Sequence, residues 1–262
     1  MGVFPWVAWY GFRRYTAYPL SSAAEAVTNT VFGFMRAYVL IALWHARPAL
    51  GGYDVADAVT FCFITQAMIG PVQLFRGLEL SERIRSGDVA IDLYRPVGLQ
   101  GWWLADDIGR ASAEMLLRSA LPLVAGAVVF DLNVPSAPGL AAFALSAMLG
   151  VLVSFAIRYL VALAVFWLHD DRGLQSIALV MSLFFSGMIL PLVVFPGWLA
   201  SIAQAMPWAA LVQVPADVFL GKHTGTDLLG ALGFQAGWAV ALLAAGAALT
   251  AAARRKLVIH GG

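Results

Sequence analysis

A phosphate-gripping P-loop closes a glycine-rich turn with Gly-Lys-Ser/Thr, and this 262-residue chain has two lysines with which to build one. Lys222 follows Gly221 but precedes His223, and Lys256 follows Arg255. The chain therefore does not supply that type of nucleotide hydrolysis. His45, His169, His223 and His260 are scattered, with no pair at the i, i+4 spacing of a helical zinc site. Cys62 is the single cysteine and lies in an apolar run, so it reads as packing. No Gly-x-Ser-x-Gly elbow is present. No metal site is expected, and no catalytic nucleophile, base and orienter are assembled.

The charge that remains is concentrated. The stretch 78–100, LELSERIRSGDVAIDLYRPVGLQ, holds Glu79, Glu82, Arg83, Arg85, Asp88, Asp92 and Arg95. Glu79 and Arg83 stand at i, i+4 and are expected to support a first helix, with Glu82 and Ser86 at the same spacing. Gly87 suits the left-handed position that ends a helix. Asp88 is placed to cap a second, VAIDLYR, which Pro96 stops. Ile84, Val89, Ile91 and Leu93 interrupt the charges. A solvated loop accounts for the arginines but not for the acids, the Gly87 stop or these apolar residues. The segment reads as a helix–turn–helix with one polar face and one docking face.

The rest of the chain must hold that segment in place. It is 61% hydrophobic, 12% charged and near neutral at +1, with a mean hydropathy of +0.81. A globular chain is about 25% charged, so lipid is the expected solvent. A basic patch for nucleic acid is absent. A helix needs about 20 apolar residues to cross a bilayer. Six candidate spans follow: 21–44, 56–77, 109–130, 139–168, 173–194 and 227–253. Aromatic residues from Trp6 to Tyr18, with Arg13 and Arg14, predict a helix in the interface plane over 4–18. Between the fifth and sixth spans, Pro196, Pro207 and Pro215 break an apolar segment, 195–222. It reads as two short re-entrant helices. Arg13, Arg14, Arg76, Arg83, Arg85, Arg95, Arg110, Arg172, Arg254, Arg255 and Lys256 fall on one side, against Arg47 and Lys222 on the other. The positive-inside rule puts both termini in the cytoplasm.

Charges inside spans are expensive and should face protein, water or headgroups. Glu114 and Arg118, at i, i+4, read as a structural pair. Arg158 lies about three turns, or about 16 Å, into the fourth span. Arg36 is similarly deep from the other side. Lining a pathway, pairing across helices and snorkelling all remain open for these two. Phe34, Met35, Met68, Phe184, Phe185 and Met188 could form an adaptable apolar lining or ordinary packing. The candidate pathway set is Arg36, Met68, Arg158, Phe184 and Met188.

Two blocks carry a family resemblance. IRSGDVAIDLYRPV resembles the cytoplasmic loop of ABC-2 type transporter permeases with separate ATPase chains. FFSGMILPLVVFPGWLASIAQAMPWAALVQVPADVFLG is similar to the outer segment of the same subgroup. The resemblance implies an all-α integral membrane fold, one domain over 1–262. It has an N-terminal interfacial helix (1–20), six spans, a coupling helix between spans two and three (78–100) and outer re-entrant helices before span six (195–222). It implies cytoplasmic ABC ATPase subunits carrying ATP and Mg, a second permease in a homo- or heterodimer, and surrounding membrane lipid. It implies no cofactor on this chain and residence in a bacterial cytoplasmic membrane. Contact with the ATPase falls to Glu79, Glu82, Arg83, Arg85, Ser86, Asp88 and Asp92, with Gly87 setting the turn and Pro96 the stop. Arg95 and Pro96 have a second reading, anchoring the loop on its own N-terminal helix. The function implied is export of an amphipathic drug or natural product. Import and a non-transporting membrane scaffold are the alternatives.

Overall fold

The computed structural model describes residues 2–17, 19–168 and 172–260. Tyr18, His169 and Gly262 lie outside them, as do the side chains of Lys256 and His260. The described residues contain helices and no strand. Five helical segments are long and apolar enough to cross a membrane: Ser22–Ala46, Val55–Val72, Leu99–Val129, Ala137–Leu168 and Gly225–Arg255.

Helix α1 (Val3–Thr16) leads into α2 (Pro19–Ala46), which exposes Val27, Val31, Phe32, Met35, Tyr38 and Val39. Such an apolar outer face suits lipid. Helix α3 (Val55–Val72) is the central post, with every residue from Asp57 to Met68 buried. Its sequence is apolar all round, as a helix enclosed by others requires. A reciprocal capping box starts it: Asp54 Oδ1 accepts from the Asp57 amide at 2.7 Å, and Asp57 Oδ2 from the Asp54 amide at 3.2 Å.

Helices α4 (Leu80–Ser86) and α5 (Val89–Tyr94) follow, joined at Gly87 with φ +86°. That angle favours glycine. Helix α6 (Leu99–Leu117) begins ten residues before the expected third span and continues after a break as α7 (Ala120–Val129). Pro122 has no amide to donate, and its ring crowds the carbonyl four residues back, at Arg118. Ser119 Oγ turns to the Ala67 carbonyl at 2.5 Å. Helix α1 packs along α6. The backbones touch so closely at Gly109 that a Cβ there would collide with the Ala8 carbonyl. The N-terminal helix is thus bound to protein along one face, while Trp6, Trp9 and Tyr10 remain exposed on the other.

Helix α8 (Ala137–Leu163) is extended by α9 (Val165–Leu168) and packs against α13 (Gly225–His260). Gln235 of α13 donates to the carbonyls of Ser146 and Ala210 at 3.0 and 2.8 Å. Between them, α10 (Arg172–Phe185) covers only 14 residues, about 21 Å. The expected span 173–194 is helical only to Phe185. Ser186, Gly187 (φ +82°) and Pro191 break it. The irregular stretch is held by Gln213, whose amide donates to the Ser186 carbonyl at 2.9 Å and whose Oε1 accepts from Leu192 N at 2.8 Å. Two short helices follow, α11 (Gly197–Ala205) and α12 (Gln213–Phe219). Helix α12 is buried against α8 and α3.

Candidate coupling site

Helices α4 and α5 join the end of α3 to the start of α6, so they lie at the opposite end of α3 from the α2–α3 loop. The expected Glu79–Arg83 pair does not form. Arg83 instead crosses the Gly87 turn and grips Asp92, with Nε to Oδ2 at 2.6 Å and Nη2 to Oδ1 at 3.0 Å. A bidentate guanidinium–carboxylate fork outcompetes a flexible i, i+4 pair. The hydrogen bond to Asp92 raises the Arg83 pKa above its ordinary value. Asp92 is only 3% exposed and also takes Arg95 Nη2 at 3.1 Å. Nor does Asp88 cap α5: its Oδ2 accepts from Ser86 Oγ at 2.9 Å. Arg95 stacks over Trp102 of α6 at 4.1 Å, so its anchor is α6 rather than α1.

Other contacts tie the element to the bundle. Glu79 accepts from Arg14 of α1 at 3.3 Å, and Arg14 also donates to Asp106 of α6 at 3.0 Å. Burial works to lower the Arg14 pKa, but the carboxylates of Asp106 and Glu79 outweigh it and raise the value. Leu78, Leu80 and Val89 pack with Leu99, Trp103, Phe155 and Tyr159 in one apolar cluster. What remains outward is Glu82, Arg85, Ser86, Gly87, Asp88 and Pro96, together with Ile91 (61% exposed) and Tyr94 (89%). The sequence reading gives Ile91 as one of the apolar residues of the docking element but does not single out Tyr94. Its spacing from Ile91 on the face of α5 away from Val89 and Asp92 is the signal that could have found it.

Behind the element lies a buried ionic core. Arg158 of α8 grips Asp107 of α6 with Nη1 to Oδ1 at 3.1 Å and Nη2 to Oδ2 at 2.7 Å, and reaches Gln73 Oε1 at 2.6 Å. Arg110 Nε binds Asp107 at 2.8 Å, and its Nη1 and Nη2 cap the Gly70 and Pro71 carbonyls at 2.9 Å each. Ser154 Oγ donates to the next carbonyl, Val72. The end of α3 thus has its orphan carbonyls covered by one arginine and one serine, a favourable use of a cation at a helix C-terminus. Glu114 meets Arg110 and Arg118 at 3.2 Å each, and Arg118 reaches Glu25 of α2 at 2.7 Å. Four charges buried at the junction of α3, α6 and α8, Asp107, Arg110, Glu114 and Arg158, are paired with one another, and Glu114 Oε2 has ion pairing but no hydrogen bond among the described residues.

The remaining pathway candidates are dispersed. Met68 and Met188 share one apolar cluster. Phe184 packs on Phe185 and Phe195, and Phe34 on Phe63 and Phe130. Met35 is exposed on α2. Arg36 donates from Nη1 to Thr65 Oγ1 at 3.1 Å, while its buried Nε and Nη2 have no partner among the described residues.

A helical bundle with five membrane-length segments and an exposed helix pair between two of them fits an all-α polytopic membrane protein. A family model described as "ABC-2 family transporter protein" matches residues 29–261, and the chain belongs to that family. It is a membrane subunit and not itself a P-loop ATPase. No curated protein and no solved structure matches the chain.

Proposed function

We propose that this chain is the permease of an ATP-driven exporter that moves an amphipathic small molecule out across a bacterial cytoplasmic membrane. Family membership implies an ABC ATPase partner. A separate cytoplasmic subunit would carry the P-loop, ATP and Mg that this chain lacks. Two permeases, identical or different, would pair in the lipid. Both termini and the α4–α5 element would face the cytoplasm, following the arginine excess. Helix α10 with residues 186–194 would serve as a sixth crossing, and α11 and α12 would be re-entrant on the outer side within a single 1–262 domain.

The observation that carries this reading is the mounting of α4 and α5. The fork at Asp92 ties α5 to α4, the Leu78, Leu80 and Val89 cluster and the Arg95–Trp102 contact seat the pair on α8 and α6, and the fork at Asp107 joins α6 to α8. A push on Tyr94 from a closing ATPase pair would move the spans rather than bend a loop. Proteoliposomes containing this permease with the ATPase subunit from its native membrane should hydrolyse ATP and accumulate a fluorescent amphiphile when the ATPase faces the bath. The permease alone should do neither. Sustained ATP turnover by the stringently purified chain would overturn the two-component reading.

A further inference from the structure

At the end of α3 away from the coupling element, a cavity of about 490 Å³ opens between the α2–α3 loop, α12 and the start of α13. Its volume falls in the range of small-molecule sites. Its walls mix Val193 and Phe234 with Tyr53, Gln213, Asp217 and His223.

Asp217 is the chemical centre. Its Oδ1 accepts from the Tyr53 hydroxyl, and its Oδ2 accepts from Gln213 Nε2 at 2.9 Å. Gln213 Nε2 also donates to the Tyr53 oxygen at 3.1 Å. Both carboxylate oxygens therefore accept hydrogen bonds, which fixes the group in place and leaves lone pairs toward the cavity. Lys222 also lines the cavity, but its ammonium is paired with another acid. Lys222 Nζ pairs with Asp57 at 2.5 Å, reaches the Gly52 carbonyl at 3.2 Å and sits 5.2 Å over the Tyr53 ring. Asp57 itself is further held by Asn133 Nδ2 at 2.9 Å. Burial pushes the Asp217 pKa up, and the Gln213 and Tyr53 hydrogen bonds oppose it, followed by the charges of His223 and Lys222.

The surrounding charge has the same sign. This end of the molecule carries Asp54, Asp57, Asp131, Asp217 and Asp227 against Arg47 and Lys222. Such an excess concentrates cations at the mouth. The Phe234 ring offers a face that attracts an ammonium and apolar area for an attached body, while the Tyr53 ring is already taken by Trp44 and Lys222.

We propose that this cavity binds an organic amine, with the ammonium at Asp217 and the apolar body against Phe234 and Val193. For the exporter reading, on which only this last step rests, the cavity would be an outer-side station for cationic amphiphiles.

The binding test needs no ATPase, so it fails or succeeds separately from that reading. The full chain in nanodiscs is titrated with dansylcadaverine and with its analogue carrying a terminal hydroxyl in place of the amine. The amine should bind at least tenfold more tightly than the alcohol. Asp217→Asn should erase that preference. Because this variant sets an amide nitrogen against one of two donors and could fail to fold, a second variant sits on the loop. His223→Lys places a fixed ammonium beside the carboxylate. It should weaken the amine at least tenfold and leave the alcohol within twofold. Asp227→Asn, in the first turn of α13 and outside the cavity lining, should change amine binding by less than threefold. Equal affinity for amine and alcohol, or an amine preference that survives His223→Lys in folded protein, would overturn the assignment.

Discussion

The two ends of α3 handle charge in opposite ways. At the coupling end, Arg110, Arg158, Arg83 and Arg95 each find a carboxylate, and two of those carboxylates, Asp107 and Asp92, serve two arginines apiece. Cavities of about 330 and 390 Å³ adjoin this end as well, but Arg158 on the wall of the first is held by Asp107, and Glu79 on the wall of the second by Arg14. At the other end acids outnumber bases, Lys222 is held by Asp57, and a cavity remains beside Asp217. Matched charge makes a lever arm, whereas unmatched charge beside an open volume makes a place for a ligand. Both ends are built on one buried helix, α3.

Removing the shared carboxylate should break the contrast most severely. Asp107→Ala strands Arg110 and Arg158 in a buried site, where losing one partner costs about 3–5 kcal/mol. The expected outcome is loss of the folded, monodisperse protein from detergent extracts, read by size-exclusion chromatography and thermal unfolding. Gly109→Ala comes next. Its Cβ would enter the Ala8 carbonyl, and overpacking of this kind costs about 1–3 kcal/mol. Helix α1 should lose its seat on α6, and proteolysis should cleave near residues 17–20 faster than in the unaltered chain. The same thermal assay should show the α2–α3 loop end to be more forgiving. Lys222→Met releases Asp57 from a partly exposed pair but leaves its bond to Asn133. A loss of about 1 kcal/mol is expected. Smallest of all is Glu79→Gln, which removes an exposed pair with Arg14 and should shift stability by under about 1 kcal/mol.

The sequence showed the helix–turn–helix because its punctuation is local: Gly87 supplies the left-handed turn and Pro96 the stop. It did not show which charges pair. The rule that favours Glu79–Arg83 describes an isolated helix, while Asp92 becomes available to Arg83 only once the chain folds back at Gly87. Hydropathy likewise did not show that the helix of the third segment begins at Leu99, since Asp106 and Asp107 look prohibitive in lipid until Arg14, Arg110 and Arg158 are there to meet them. In the fifth segment the error runs the other way. Apolarity continues to residue 194, but Ser186 and Gly187 end the helix. The cavity beside the α2–α3 loop was hidden because Tyr53 and Asp217 lie more than 160 positions apart in the chain and meet only through tertiary packing.

The central claim is that the Ile91–Tyr94 face of α5 is the surface through which an ATPase drives the spans. Tyr94→Asp tests it most directly, because the side chain is 89% exposed and its removal disturbs none of the forks at Asp92. The measurement is the affinity of the detergent-purified permease for its ATPase subunit, taken beside a thermal unfolding curve. Unchanged unfolding with at least tenfold weaker association is the predicted result. Full-strength association in a folded Tyr94→Asp permease would contradict the account.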